Sequence, residues 1–311
     1  MITRRIGDFE VGAIGLGAMP LSVEGRPDRD RAVATVHAAL DAGVTLIDTA
    51  DSYHWHADEV GHNEELLAGL EGVLIATKGG RGRPGDGSWT VDASPEHLKR
   101  ACEGSLRRLG VDVIDLYQLH KPDPKVPFSD SLGALAELHA EGKIRAIGLS
   151  NVDVDQIRQA RELLGPAFVS VQNEFSPRVR TAEPELRLCA ELGLAFLPWS
   201  PLGGISRSSL DGPSALPEDP ALAAFHHAAR DLGVSPQRVC LAWLLSLSPT
   251  VIPIPGATRP ASIRDSAAAA EIGWWSGFDE ACGPVWTGGS DHRRVRHPRE
   301  AGGRDGDRQA G

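Results

Sequence analysis

The chain has 311 residues, a formal net charge of −10 and four cysteines. The acidic balance argues against nucleic acid or an anionic membrane as the main partner. The cysteines lie far apart without a CxxC pair, which is typical of reduced thiols and not of a disulfide framework or a zinc site. No apolar signal segment or bilayer-length run is present, so we expect a cytoplasmic protein with no membrane partner.

The first residues predict a short β-hairpin, with Ile6 and Val11 on its strands and a turn at Gly7 and Asp8. After it, apolar runs alternate with helical patterns. The eight runs that we interpret as strands are 13–17, 45–48, 73–78, 113–120, 144–150, 168–174, 194–200 and 250–256. The helical patterns that follow them cover residues 28–43, 63–70, 94–109, 128–141, 154–164, 183–192, 220–232, 235–247 and 260–270.

Most of these runs are continuously apolar, as expected for parallel strands that are buried on both faces. Eight strand–helix units predict a (β/α)8 TIM barrel with an N-terminal β-hairpin, in which residues 1–285 form one domain. The alternative is a doubly wound sheet, which would need two halves, and no linker separates them. Residues 286–311 are rich in Gly, Arg and Asp, and we expect disorder there, from about 288 onwards.

In a (β/α)8 barrel the functional residues lie at the C-terminal ends of the strands. Polar residues occupy these ends here: Asp48 with nearby Tyr53, Lys78, His120, Ser150, Asn151, Gln172, Asn173 and Ser200. A phenol is a weak acid at neutral pH, and an adjacent ammonium lowers its pKa. A carboxylate beside that lysine would orient it, and a histidine could orient a carbonyl oxygen. The set suits protonation of a carbonyl oxygen, with hydride supplied by a cofactor because no side chain donates one.

At these residues, over about residues 5–270, the chain resembles the aldo-keto reductase superfamily. The motifs that carry the resemblance are "IDTADSY", "ATK", "YQLH", "IGLSN", "VQNEFSP", "PWSPLGGI" and "IPGATRPASIRDS". The resemblance implies NADPH-dependent reduction of a small-molecule aldehyde or ketone on a TIM barrel. It makes Tyr53 the proton donor, with Lys78 and Asp48 tuning it and His120 orienting the substrate.

The same resemblance implies that Ser150, Asn151 and Gln172 hold the nicotinamide carboxamide. The remaining cofactor contacts that it implies are Ser200, Pro201, Leu202, Gly203, Gly256, Thr258, Arg259, Arg264 and Asp265. Arg259 and Arg264 are candidates for the 2′-phosphate, because a guanidinium recognises phosphate bidentately, and this favours NADP over NAD. Asp265 and Ser266 stand where the family often has glutamate and asparagine.

We expect His54, Trp55 and Trp89 to line the substrate mouth. The cluster His54, His56 and His62 is not predicted to bind a metal, because no second group completes a ligand set. Two further interpretations stay open: a nucleotide-sensing regulatory module like the β subunits of potassium channels, and a biosynthetic reductase acting on a sugar or polyketide. The sequence predicts no oligomeric state.

Residues beyond the last helix usually fold over the barrel mouth in this family. Here that segment contains the aromatic residues Trp274, Trp275, Phe278 and Trp286, which could form such a lid. The alternative is that its composition reflects an out-of-frame reading of a GC-rich gene.

Overall fold

A parallel sheet wrapped by helices forms the centre of the computed structural model, which describes residues 2–203 and 220–272. The strands are β1 (Thr3–Ile6), β2 (Phe9–Gly12), β3 (Leu16–Gly17), β4 (Leu46–Asp48), β5 (Leu74–Gly79), β6 (Arg81–Gly82), β7 (Thr90–Val91), β8 (Ile114–Leu119), β9 (Ile144–Ser150), β10 (Phe168–Gln172) and β11 (Ala195–Phe196). The α-helices are α1 (Arg29–Asp41), α2 (His62–Leu67), α3 (Pro95–Leu109), α4 (Phe128–Ala140), α5 (Val154–Leu164), α6 (Glu183–Leu192), α7 (Pro220–Leu232), α8 (Pro236–Leu247) and α9 (Pro260–Ala267).

Seven strands form the main sheet in the order β11–β10–β9–β8–β5–β4–β3, and every neighbouring pair is parallel. This confirms the α/β class predicted from the apolar runs. The strands are buried along almost their whole length because helices cover the outside of the sheet. Parallel strands end at a common edge, so the polar residues that terminate them meet there.

The segment 250–256 lies between the two edge strands of this sheet. Next to β11, the Ile252 N–H donates to the Phe196 carbonyl oxygen at 2.9 Å. Next to β3, the Gly17 N–H donates to the Pro255 carbonyl oxygen at 3.0 Å. The predicted strand 250–256 is therefore present only as isolated bridges, because Pro253 and Pro255 have no N–H to donate to a ladder.

The predicted N-terminal hairpin is confirmed, with β1 and β2 paired antiparallel around Gly7 at φ 56°. Ile6 and Val11 are buried in one cluster with inward-facing side chains of the sheet such as Leu116. The hairpin thus covers one end of the sheet with apolar side chains. The C-terminal ends of the parallel strands, where functional residues are expected, lie at the opposite end of the sheet.

Local signals locate several helix ends correctly. The Ser94 hydroxyl accepts the His97 N–H at the start of α3, as its position as N-cap predicts. Gly43, predicted as the stop of the first helix, has φ 81° just beyond α1. Strands β6 and β7 form a second hairpin in the loop after β5, and two residues per strand are too few for a period-2 pattern to predict it.

The predicted disorder of residues 286–311, the domain boundary at 285 and the candidate lid with Trp274, Trp275, Phe278 and Trp286 all lie outside the described residues. Within the described ranges, the helices are too short or too polar to cross a bilayer.

Candidate active site

A buried ion pair lies where β4 and β5 end. Lys78 is fully buried, and its ammonium donates to Asp48 Oδ2 at 2.6 Å, to the Thr49 carbonyl oxygen at 2.8 Å and to Tyr53 Oη at 3.1 Å. All three N–H donors of the lysine are therefore satisfied. The neighbouring parallel strands bring Asp48 and Lys78 together, and the short loop after β4 returns Tyr53 to the same place.

The second carboxylate oxygen of Asp48 is held by two buried amides. Asp48 Oδ1 accepts from Gln172 Nε2 at 2.7 Å and from Gln118 Nε2 at 3.2 Å. The sequence analysis gave no role to Gln118, which is fully buried. A glutamine inside an apolar strand pattern can indicate a functional residue, because polar side chains are seldom fully buried. Gln118 lies two residues before His120, so the two side chains point to the same face of that segment.

The Tyr53 phenol is buried beside Lys78, and its ring packs edge-on against two other rings. The ring centroids are 5.6 Å from His120 and 6.4 Å from Trp89. Burial raises the pKa of Tyr53 above its ordinary value, and Lys78 opposes this rise without overcoming it. The expectation of a phenol with a lowered pKa is therefore wrong for this structure, because the loss of solvation outweighs the ammonium.

The charge states of Lys78 and His120 follow from the same burial. Burial lowers the pKa of Lys78, but Asp48 and Tyr53 together raise it above the ordinary lysine value, so the ammonium stays charged at neutral pH. Burial, with help from Lys78 and Arg81, puts the pKa of His120 well below its usual range. His120 is thus a neutral imidazole that can give or take a hydrogen bond but carries no charge near neutral pH.

A pocket of about 360 Å³ opens at this end of the sheet. Its lining includes residues predicted to be catalytic, cofactor-binding or substrate-binding, which are Asp48, Tyr53, Trp89, His120, Ser150, Asn151, Gln172, Ser200 and Gly256. It also includes residues that sequence reasoning did not assign, which are Gly17, Met19, Pro20, Arg81, Trp199 and Ile254. The strand ends thus deliver the predicted groups to one cavity, and the second hairpin adds Arg81 and Trp89.

The structure does not bring His54 and Trp55 to the wall of this pocket. His54 is buried, its Nδ1 lies 2.7 Å from the His56 carbonyl oxygen, and its own carbonyl oxygen accepts from Arg83. Trp55 is 37% exposed and stacks on His56 with ring centroids 5.2 Å apart. Being adjacent to Tyr53 in sequence therefore does not make either residue part of the lining.

Two residues with unusual backbone conformations face the pocket. Within the described ranges, Asn151 at φ 59° and Ser200 at φ 49° are the non-glycine residues with positive φ. Such conformations are strained and concentrate at functional sites. Asn151 Nδ2 donates to the His120 carbonyl oxygen at 2.9 Å and to Ser150 Oγ at 3.0 Å, which fixes the amide at the pocket wall.

Two glycines of the pocket lining, and Gly203 three residues beyond Ser200, let the backbone come close to neighbouring protein atoms. A Cβ on Gly17 would lie 2.7 Å from the Ile254 carbonyl oxygen, and one on Gly256 would lie 2.7 Å from Pro20 Cγ. A Cβ on Gly203 would lie 2.6 Å from Ser176 Oγ. These glycines therefore let backbone segments pack closely on one another. The buried Nε1 of Trp199, a residue of the pocket lining, has no hydrogen-bond partner among the described residues.

The remaining predicted cofactor residues do not line the pocket. Pro201, Leu202 and Gly203 continue the chain from Ser200, and Thr258, Arg259 and Arg264 follow Gly256. Arg259 stands at the N-cap of α9, and Arg264 is exposed on that helix. Asp265 is already paired, since it accepts from Arg238 Nη2 at 2.7 Å and from Ser235 Oγ at 2.5 Å. Its carboxylate fastens α9 to the start of α8.

The sequence profile of the Aldo/keto reductase family matches residues 13–274. The chain is 37% identical over 276 residues to an uncharacterized oxidoreductase of Schizosaccharomyces pombe, covering 87% of this chain and 85% of the relative. It is 35% identical over 281 residues to pyridoxine 4-dehydrogenase of Escherichia coli, covering 87% and 93%. A solved aldo/keto reductase from Klebsiella pneumoniae, in complex with NADP and acetate, superposes with a TM-score of 0.71 at 29% identity, covering 91% and 95%. The chain therefore belongs to the aldo/keto reductase family, which confirms the resemblance.

Proposed function

We propose that this aldo/keto reductase uses NADPH to reduce an aldehyde or ketone to the alcohol, with Tyr53 as the proton donor. The observation that carries the proposal is the hydrogen-bonded chain from Asp48 through Lys78 to Tyr53 Oη, ending at a pocket. We also propose that the segment 250–256 is the eighth strand of a (β/α)8 barrel, since it bonds both edges of the sheet.

The pocket wall fits a nicotinamide ring. Asn151 and Gln172 donate through their amide nitrogens to the protein, which leaves their amide oxygens as acceptors for a carboxamide N–H. Arg259 and Arg264 would meet the 2′-phosphate, and the NADP-bound Klebsiella pneumoniae relative supports this choice of cofactor. When bound, the nicotinamide supplies the hydride that side chains lack.

The protein's own residues handle the proton. Tyr53 holds its proton at neutral pH and can pass it to a carbonyl oxygen as negative charge develops there. Lys78 then lies 3.1 Å from the phenolate oxygen and stabilises it. His120 is neutral and lines the same pocket, so it can share a hydrogen bond with the carbonyl oxygen without competing for the proton.

NADPH absorbance with a panel of aldehydes, ketones and sugar carbonyls, and NADH alongside, tests this proposal. Pyridoxal belongs in the panel because of the identity to pyridoxine 4-dehydrogenase. We expect Tyr53→Phe to lower kcat by about 100- to 10,000-fold while the NADPH Kd changes by less than about threefold.

The control variant is Tyr117→Phe, which removes the hydroxyl of the protein's other tyrosine. Tyr117 is buried, and its hydroxyl donates to the Leu98 carbonyl oxygen at 3.4 Å, outside the pocket lining. We expect it to keep kcat. Tyr53→Phe at the wild-type rate would refute the proton assignment. NADPH binding without turnover of any carbonyl would favour the nucleotide-sensing alternative.

A further inference from the structure

Arg81 is a half-buried cation in the pocket wall. It lies on β6 and lines the pocket with Tyr53 and His120. Among the described residues, its buried Nε has no hydrogen-bond partner and no carboxylate forms an ion pair with it. A partly buried guanidinium is usually paired with an anion, since withdrawing a charged group from water without a partner is unfavourable. The position of this cation at the pocket wall, with no carboxylate of the described residues beside it, therefore points to an anionic ligand.

Arg83, two residues further along, shows what a structural arginine looks like in this loop. Its Nη2 donates to Glu24 Oε1 at 2.5 Å, and its Nη1 donates to the His54 carbonyl oxygen at 3.1 Å. Both guanidinium groups pack on the Trp89 ring, with Cζ at 4.4 Å for Arg81 and 4.6 Å for Arg83. The protein thus pairs Arg83 through both of its Nη atoms, one of them with a carboxylate, although its Nε, like that of Arg81, has no partner among the described residues. Arg81 is held in position by Trp89 and by the pairing of β6 with β7.

The other charges at the pocket are already balanced. Asp48 accepts from Lys78, Gln118 and Gln172. Lys78 is neutralised by Asp48, and His120 is uncharged near neutral pH. Arg81 therefore gives the substrate side of the pocket a net positive charge, with the group fixed before any ligand arrives.

We propose that Arg81 selects carbonyl substrates that carry a carboxylate, which it binds through its guanidinium fork while the carbonyl oxygen meets Tyr53. The inference rests on the proposed function and names the substrate class, a small oxo acid. The pocket of about 360 Å³ would hold the nicotinamide as well as the substrate, which restricts the substrate to a compact molecule. Trp89 and Tyr53, with ring centroids 6.4 Å apart, provide an aromatic wall between the two polar contacts.

The test compares 4-carboxybenzaldehyde with its methyl ester, which has a similar shape and no charge, for the wild type and Arg81→Met. A charge-assisted contact predicts that Arg81→Met lowers kcat/KM for the acid by about 10- to 100-fold and for the ester by less than about threefold. Arg81→Lys, which keeps the charge but loses the fork, should fall between wild type and Arg81→Met for the acid. The KM for NADPH should not change.

Arg145→Met is the matched control because Arg145 is exposed and paired with Asp115 at 2.8 Å, away from the pocket. It should leave the acid-to-ester ratio unchanged. An equal loss for acid and ester in Arg81→Met, or a raised KM for NADPH, would overturn the inference.

If the wild type reduces neither compound, the proposed reduction fails for this class of carbonyl substrate. The role of Arg81 is then tested separately by calorimetry, which measures the binding of benzoate and of benzamide. Weaker benzoate binding by Arg81→Met, with benzamide unaffected, supports it. Unchanged benzoate binding refutes it.

Discussion

Replacing Asp48 by asparagine isolates the energetic role of the buried ion pair. In wild type the Asp48 carboxylate lies 2.6 Å from the ammonium of the fully buried Lys78. Asparagine has nearly the same shape as aspartate but leaves that ammonium without a carboxylate. Breaking a buried pair by removing one partner typically costs about 3–5 kcal/mol. The free energy of unfolding from urea titration at about pH 7 should fall by this amount.

The pH dependence of that loss gives the sharper test. In wild type the pKa of Lys78 is raised above the ordinary 10.5, so its contribution to stability is fully present below that value and is lost only at higher pH. In Asp48→Asn, burial without a carboxylate depresses the folded-state pKa, and the folded protein must lose the proton. Keeping that lysine neutral costs about 1.4 kcal/mol for each pH unit below its unfolded pKa, or about 5 kcal/mol at pH 7. The cost therefore falls to about 1.4 kcal/mol by pH 9.5.

Urea titrations of wild type and Asp48→Asn between about pH 7 and pH 9.5 measure this slope. The control is Asp115→Asn, which breaks the exposed pair with Arg145 at 2.8 Å and should cost less than about 1 kcal/mol at every pH. A difference between wild type and Asp48→Asn that stays constant with pH would refute the reasoning, because it would mean that Lys78 keeps its proton without Asp48.

Two further predictions concern other buried titratable groups. Burial, Lys78 and Arg81 hold the pKa of His120 well below its usual range. The pH profile of kcat/KM should therefore show no inflection from His120 between about pH 6 and pH 8. An inflection in this range that disappears in His120→Gln would contradict the prediction. Burial raises the pKa of Asp51 from 3.8 to about 8. Between about pH 4 and pH 8 the folded state therefore keeps a proton on Asp51 that the unfolded state has released. The contribution of Asp51 to the free energy of unfolding consequently falls as the pH rises through this range. The stability of Asp51→Asn relative to wild type should therefore be more favourable at pH 8 than at pH 5, by about 3–4 kcal/mol. Urea titrations that give the same stability difference between the two proteins at both pH values would count against the assignment.

The predictable part of the site is the part that strand ends determine. Asp48, Lys78, His120 and Gln172 end or directly follow runs of apolar residues, and parallel strands must end at one edge. Tyr53 follows from the same logic because its loop is short. These residues could be grouped from sequence because the order and direction of the strands fix their neighbours.

Arg81 lines the pocket although the sequence did not predict it, and His54 and Trp55 do not line it although the sequence predicted them. The path of the loops, and not the direction of the strands, determines where these three residues lie. Arg81 reaches the pocket through a hairpin of two-residue strands, which has no readable period. His54 and Trp55 follow Tyr53 in sequence, yet neither of them lines the cavity. The predicted strand 250–256 forms only isolated bridges because prolines alternate along it, and the apolar pattern does not reveal missing N–H groups.

The raised pKa of Tyr53 changes how Lys78 acts in the proposed reaction. A phenol that ionised easily would lose its proton to water before a carbonyl oxygen needed it. Here burial keeps the phenol protonated, and the ammonium at 3.1 Å interacts most strongly with the phenolate that forms as the proton leaves. An interaction that strengthens only as charge develops lowers the barrier without stabilising the ground state equally. Lys78 can act in this way only while Asp48, held by Gln118 and Gln172, keeps the buried ammonium charged.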